Sequence, residues 1–134
     1  MANTMQRDAI MKRVLHFLNI ISIVGAIAPA SPTWGQDAER GKAAFAKCAA
    51  CHSLDGKNSL GPDLHGVVGR KAGSVEGFRY SRAMKNATIV WDEKTLDTFL
   101  DDLQKVVPGT TMPFSGIANA RERADLVAYL ETLK

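Results

Sequence analysis

The feature that most limits how this chain can fold is an irregular, glycine-rich segment between residues 53 and 80. The segment contains six glycines and shows neither helical nor strand periodicity. Irregular segments of this length are uncommon inside a domain of about 100 residues. A chain of this size also buries little apolar area by itself. We therefore expect a non-protein group at the centre of the domain, with these loops wrapped around it.

Three helical patterns flank the segment and predict an all-α fold. The first covers about residues 37–50, and the third begins at Asn119, with Glu122 completing a capping-box-like pair. The second covers about residues 92–104 and places four apolar side chains on one face at helical spacing: Leu96, Phe99, Leu100 and Leu103. A short turn of helix is expected after Ser81.

Both cysteines of the chain fall in one motif, Cys48-x-x-Cys51-His52. The motif ends the first helical pattern, so the two thiols are expected about one turn apart, with the histidine beside them. This spacing is typical of covalent c-type haem attachment, in which each thiol adds to a haem vinyl group and His52 becomes an axial iron ligand. The motif predicts one covalently attached haem c.

Three other kinds of site use paired cysteines, and the sequence favours them less. A zinc site needs more ligands than His65 can add. A thioredoxin-like dithiol needs a βαβ context, which is absent from the pattern. A disulfide between Cys48 and Cys51 in an oxidising compartment stays open as an alternative.

The N-terminal residues have the pattern of an export signal. A basic stub at residues 11–13 precedes an apolar run over residues 14–28, and small residues and prolines follow. The run is shorter than the ~20 residues that a membrane-spanning helix needs. We predict a signal peptide over residues 1–35 and export to the periplasm, with an uncleaved membrane anchor as the alternative.

Removing this signal changes the charge of the chain. Translation can start at Met11, and cleavage is expected near Ala30 or Gly35, which leaves a domain of residues 36–134. The whole chain has a formal net charge of +3 and a sequence pI of about 9.0. Residues 36–134 alone have a net charge of +1, so most of the basicity belongs to the leader.

Met112 lies in a loop bracketed by Pro108 and Pro113. A stiff loop presents a thioether well, and Met84 is the only other methionine of residues 36–134. We predict Met112 as the second axial ligand. Iron held by His and Met has no open position, which suits electron transfer; a labile Met112 bond would instead favour a haem enzyme or sensor with peroxidase-like activity.

Further markers follow a fixed order along the chain. They are Gly41 and Phe45, Gly61-Pro62-x-Leu64-His65-Gly66, Gly69-Arg70-Lys71, Tyr80, Val90-Trp91, Pro108-Gly109-Thr110-x-Met112 and Leu126-x-x-Tyr129-Leu130. In this order they resemble class I c-type cytochromes of the mitochondrial and short bacterial type over about residues 37–134. The resemblance implies the cytochrome c fold: three main helices and a short one around a covalent haem, with long irregular loops. It also implies a mono-haem electron carrier that is not an enzyme.

The resemblance assigns roles to individual residues. The Pro62 carbonyl should accept the Nδ1–H of His52 and orient the ring. Gly41 should let the first and last helices cross closely, with Phe45 packed against Tyr129. Three residues should hydrogen-bond or neutralise the inner haem propionate, which would otherwise be a costly buried charge: Arg70, Tyr80 and Trp91. Thr110 should lie near the other propionate. Core packing is the other interpretation of the two aromatic residues, and in a haem-filled core both roles are compatible.

The chain departs from the mitochondrial pattern near Met112 and at the exposed edge. Phe99 stands where a tyrosine is usual, which removes a donor beside the methionine sulfur, and Met84 stands where an asparagine is frequent. Gln104 and Thr111 occupy positions where lysines are common. The lysines that remain as candidates for a docking edge are Lys47, Lys71 and Lys105.

Charge is divided along the domain. Residues 40–85 contain nine basic and three acidic side chains, whereas residues 91–102 contain one basic and five acidic ones. We expect a basic rim at the haem edge that steers a monomeric carrier to acidic surfaces, with a solvated mixed surface as the alternative. The expected partners are a membrane quinol–cytochrome c reductase and a cytochrome oxidase or another redox acceptor. Nucleic acid is not expected at this low net charge.

Overall fold

Residues 35–134 are described by the structure, a computed structural model, and they are almost entirely helix and loop. The helices in this range are α1 (Ala38–Ala44), α2 (Arg82–Asn86), α3 (Glu93–Asp101), α4 (Leu103–Val106) and α5 (Ala120–Glu131), and a 3-10 turn over Phe45–Lys47 follows α1. Within residues 35–134 the only strand-like pairing outside the helices is one bridge between Lys71 and Val90. The all-α prediction is confirmed.

The predicted signal peptide lies outside the described residues, except for Gly35. The candidate start at Met11 and the candidate cleavage position at Ala30 fall there too. Among residues 35–134, no helix is long and apolar enough to cross a membrane.

Capping side chains set where the helices begin. Asn119 accepts hydrogen bonds from two backbone N–H groups of α5, and Ser81 accepts one from α2, so both predicted starts are confirmed. Asp37 caps α1 in the same way. Glu122 does not complete a capping box: its carboxylate lies 2.5 Å from Lys47 Nζ and links α5 to the 3-10 turn.

Two predicted helix lengths are wrong. The first α-helix ends at Ala44, because the carbonyl of Phe45 already accepts the N–H of Cys48 at 2.8 Å in the tighter 3-10 pattern. The second helix is broken at Asp102, whose backbone is extended (φ −146°, ψ 105°). The Asp102 side chain accepts the backbone N–H groups of Gln104 and Lys105 and so begins a new helix, α4.

The predicted crossing of the first and last helices is confirmed. A Cβ at Gly41 would lie 1.9 Å from the carbonyl oxygen of Asp125, so only glycine permits this approach. The rings of Phe45 and Tyr129 pack beside the crossing with centroids 5.8 Å apart. Asp125, buried in α5, accepts the Asp37 N–H at 2.7 Å and Arg40 Nε at 2.8 Å.

Side chains, not regular structure, hold the glycine-rich loops together. Asn58 donates to the Glu76 carbonyl at 2.9 Å and accepts the Asp63 N–H at 3.1 Å, which joins two loops. The buried Asp63 carboxylate accepts from Ser53 Oγ and from the Gly56 N–H, each at 3.0 Å. These bonds satisfy backbone groups that no helix or strand satisfies.

Candidate haem site

The His52 ring is held in one orientation by its neighbours. Its Nδ1 lies 2.7 Å from the Pro62 carbonyl oxygen. A carbonyl only accepts, so Nδ1 carries a proton, and Nε2 is the ring nitrogen left for another partner. A Cβ at Gly61 would lie 2.5 Å from the ring carbon Cε1, so the ring packs directly on the Gly61 backbone. His52 is therefore an oriented imidazole, and its Nε2 is the nitrogen that can ligate a metal.

The two cysteines lie in the same turn as His52. The Cys48 carbonyl accepts the N–H of Cys51 at 3.0 Å and of His52 at 2.9 Å. Both side chains are half-buried, and no disulfide joins them. Burial raises the pKa of the Cys48 thiol, and the nearby Lys47 charge only partly offsets this. A redox-active dithiol requires the opposite shift.

Met112 is half-buried at the edge of the core, in the loop between α4 and α5. This loop is organised by one side chain, because Gln104 bonds to it twice. Its Oε1 accepts the Gly109 N–H at 2.9 Å, and its Nε2 donates to the Thr110 carbonyl at 3.1 Å. Gln104 thus fixes the chain that precedes Met112.

The three residues predicted to hold the inner propionate lie together. The Arg70 carbonyl accepts the Trp91 N–H at 2.9 Å. Burial raises the pKa of Tyr80, and the positive charge of nearby Arg70 partly lowers it. Arg70 itself donates to the Asp63 and His65 carbonyls at 3.0 and 2.8 Å. Thr110 is also buried, but its side chain makes no hydrogen bond with these three residues.

Two of these groups have a free donor. The Tyr80 hydroxyl accepts the Val75 N–H at 3.3 Å, and because burial keeps it protonated, its own hydrogen is available. The buried Trp91 ring packs on Phe99 with centroids 4.8 Å apart, and its Nε1–H finds no acceptor among residues 35–134. Both donors suit an anionic oxygen at this edge of the core.

Comparison with known proteins agrees with this geometry. The family profile described as "Cytochrome c" matches residues 38–134. The chain belongs to the cytochrome c family. A cytochrome c from Euglena viridis is 51% identical over 100 residues, which cover 73% of this chain and 98% of that protein. Cytochrome c2 from Rhodoblastus acidophilus is 47% identical over 100 residues, covering 73% and 94%.

A solved structure shows the same fold. Cytochrome cH from Methylobacterium extorquens aligns with a TM-score of 0.69 at 46% identity and covers 72% of this chain and 98% of its own. Members of this family are electron-transfer proteins and not enzymes, so this cytochrome is an electron carrier. It carries haem c, attached covalently through Cys48 and Cys51.

The described residues of the cytochrome fit this group. His52 offers a free ring nitrogen, the thiols are one turn apart, and Trp91 and Tyr80 offer donors. Apolar side chains at the edge of the core are only partly buried by protein, as expected for residues that face a large apolar cofactor: Leu64, Val68, Met84, Ile89, Met112 and Phe114.

Sequence analysis did not predict the positioning roles of four residues: Gly61 under the imidazole, Asn58 and Asp63 in the loops, and Gln104 before Met112. Only Gly61 left a signal, because it stands directly before Pro62 in the resemblance. The other three act through bonds from side chain to backbone, which have no sequence period.

Proposed function

We propose that this cytochrome is a periplasmic single-electron carrier. It takes electrons from a membrane quinol–cytochrome c reductase and gives them to a cytochrome oxidase or another redox acceptor. Periplasmic placement is supported by the basic and apolar pattern of residues 1–35, which we propose as a cleaved signal peptide. Similarity to bacterial cytochrome c2 supports partners of this kind.

We further propose that His52 and Met112 are the axial ligands. The hydrogen bond from His52 Nδ1 to the Pro62 carbonyl supports this assignment, because it leaves Nε2 as the ring nitrogen that can bind iron. When bound, haem iron cycles between the ferrous and ferric states. Met112 would close the second face of the iron and leave no open position for oxygen or peroxide, and its thioether would favour the ferrous state.

Arg70, Tyr80, Trp91 and Thr110 are proposed to hold the haem propionates. Tyr80 and Trp91 each have an N–H or O–H without another acceptor among the described residues, and Arg70 supplies a positive charge beside them. Bonds of this kind reduce the cost of burying a carboxylate.

Replacing the sulfur ligand tests the proposal. We expect Met112→Ala to abolish the far-red charge-transfer band of sulfur-ligated ferric haem and to make the reduced protein bind carbon monoxide rapidly. Met84→Ala removes the other half-buried methionine of the domain and should leave both properties unchanged. A band that survives in Met112→Ala means that another group ligates the iron. Rapid carbon monoxide binding by the wild type argues against a closed electron carrier.

The location is tested separately. Expression of the full chain in a bacterium that matures c-type cytochromes should give haem protein in the periplasmic fraction, with a mature N-terminus near residues 31–36. A mature protein that still begins at Met1 or Met11 and pellets with membranes would contradict cleavage.

A further inference from the structure

The chain that follows Met112 is anchored in the core at residues 117 and 118. Ile117 is buried, and its N–H donates to the Leu100 carbonyl of α3 at 2.7 Å. The buried Arg123 of α5 donates to the Ile117 carbonyl at 2.7 Å and to the Ala118 carbonyl at 3.1 Å. These bonds join the end of the loop to α3 and α5, so the chain is fixed from Ile117 onward.

The stretch that carries Met112, residues 108–113, has few hydrogen bonds of its own. Its two backbone–backbone bonds are local and close turns at residues 107–110 and 112–114. Pro108 and Pro113 have no N–H to donate. The only other hydrogen bonds to this stretch from anywhere in residues 35–134 are the two made by the Gln104 side chain. One side chain therefore makes every hydrogen bond that joins this stretch to the rest of the described domain.

Gln104 itself lies on a fixed part of the chain. It belongs to α4, and the Asp102 side chain accepts its backbone N–H at 3.0 Å. Leu103 and Val107 on either side are buried, and the Val107 N–H donates to the Leu103 carbonyl at 2.9 Å. The exposed Gln104 side chain thus connects the Met112 stretch to a helix that is anchored independently of it.

A primary amide suits both partners in the loop at once. Its oxygen accepts the Gly109 N–H and its nitrogen donates to the Thr110 carbonyl, whereas exchanging the two amide atoms would leave both bonds unmade. Lysine, which is common at this position in the proteins that the chain resembles, can only donate, and an ionised glutamate can only accept. The link with two bonds therefore depends on the amide of Gln104.

We propose that Gln104 is a positioning residue that keeps Met112 on the haem iron. This inference rests on the proposed function, in which Met112 is the second axial ligand. Without the Gln104 amide, residues 108–113 can move away from the iron while the fold stays intact from Ile117 onward. Gln104 thus separates a closed electron carrier from an open haem protein that binds outside ligands.

The test is the equilibrium binding of imidazole to the ferric holoprotein at pH 7. A neutral imidazole nitrogen bonds to the iron as the Met112 sulfur leaves, and the iron stays ferric. The apparent affinity rises with the fraction of molecules in which this position is open. We expect Gln104→Ala to lower the apparent dissociation constant about tenfold, because both hydrogen bonds are lost.

The matched control is Lys105→Ala, at the next residue of α4. Lys105 is also exposed, and its side chain makes no hydrogen bond with any of residues 35–134. Its truncation should change the dissociation constant by less than about twofold, the size expected for a surface change without a contact.

Two charged variants separate the hydrogen bonds from electrostatics. Gln104→Glu keeps only the acceptor for Gly109, and Gln104→Lys keeps only the donor for Thr110. We expect each to lower the dissociation constant about threefold, because each loses one bond. The two variants change the charge in opposite directions, so an effect of charge on the iron would move their dissociation constants apart.

Hydrogen exchange of the Gly109 amide in the ferrous holoprotein, followed by NMR, is a readout that does not involve the iron. Exchange should be slow in the wild type and in Gln104→Glu, which keep the acceptor. It should be faster in Gln104→Ala and Gln104→Lys, which lose it.

Other outcomes overturn the proposal. Unchanged imidazole binding by Gln104→Ala, with a lower free energy of unfolding, limits Gln104 to a role in stability. Opposite shifts in the Glu and Lys variants assign the effect to charge. Equal shifts in Gln104→Ala and Lys105→Ala mean that any truncation of α4 loosens the loop.

Failure of the proposed function looks different, because then the far-red charge-transfer band survives in Met112→Ala, and that result overturns this inference as well. Should Gln104→Ala fail to retain haem, the comparison of the Glu and Lys variants with the wild type decides the matter alone.

Discussion

At the scale of single residues, the site depends on close packing around one imidazole. His52 is fixed from its edge by the Pro62 carbonyl and from its face by the Gly61 backbone. The hydrogen bond sets which ring nitrogen is free, and the missing side chain at Gly61 sets where the ring lies. Both residues act through the backbone, so no side-chain chemistry marks them as part of the site.

Gly61→Ala should destabilise the holoprotein by about 1–3 kcal/mol, because the new methyl group would overlap the His52 ring. Chemical unfolding of the ferric protein, followed by circular dichroism, measures this. Leu60→Ala is the control next to it: Leu60 is 79% exposed, so its loss should change the free energy of unfolding by less than about 0.5 kcal/mol. Equal midpoints for the two variants would contradict the packing argument.

At the scale of helices, α1 and α5 are joined by a buried carboxylate. The hydrogen bond from Arg40 lowers the pKa of Asp125, and burial only partly opposes this. Because the folded state then favours the charged form, the stability that this group contributes is present above the unfolded pKa, about 3.9. It is lost as the pH falls through the lower folded pKa.

Asp125→Asn should therefore lower the free energy of unfolding at pH 7. The difference in this free energy between the variant and the wild type should become smaller below about pH 4. Urea unfolding of the holoprotein at pH 7, 5 and 3 measures this difference. Glu39→Gln, an exposed change on α1, should have the same free energy of unfolding as the wild type at all three pH values. A difference that stays constant down to pH 3 would show that the charge of Asp125 is not what joins the helices.

At the scale of the whole molecule, short helices enclose a site larger than their own packing can fill. The longest helix of residues 35–134 has 12 residues, and residues 53–80 contain none. A domain this small has little area to bury on folding without its cofactor. The covalently attached haem stays on the chain when the domain unfolds, but only the folded state buries it, so burial of the haem supplies much of the stability.

Cys48→Ser with Cys51→Ser, purified without haem, should lose most of its far-UV helical signal and its cooperative unfolding transition. The single variant Cys48→Ser keeps one thioether link and should remain folded with haem. A haem-free double variant that unfolds cooperatively, with the denaturant dependence of the holoprotein, would show that the protein core is sufficient.

Sequence predicted the parts of this fold that follow local rules. The haem motif and the caps Ser81 and Asn119 belong to this group, whereas the helix crossing at Gly41 was predicted only from the family resemblance. The break at Asp102 was missed because its helix keeps an unbroken apolar face across it. Charge counts along the chain likewise could not show that Lys47 is paired with Glu122, since the two residues meet only through the fold.

The crossing at Gly41 also has a consequence for how the protein is made. Its partner carbonyl, on Asp125, belongs to α5, so the contact cannot form until that helix has been made. Until then Cys48 and Cys51 belong to an open chain, and contacts between distant residues form late. The haem-attachment chemistry therefore has free access to both cysteines until α5 docks on α1.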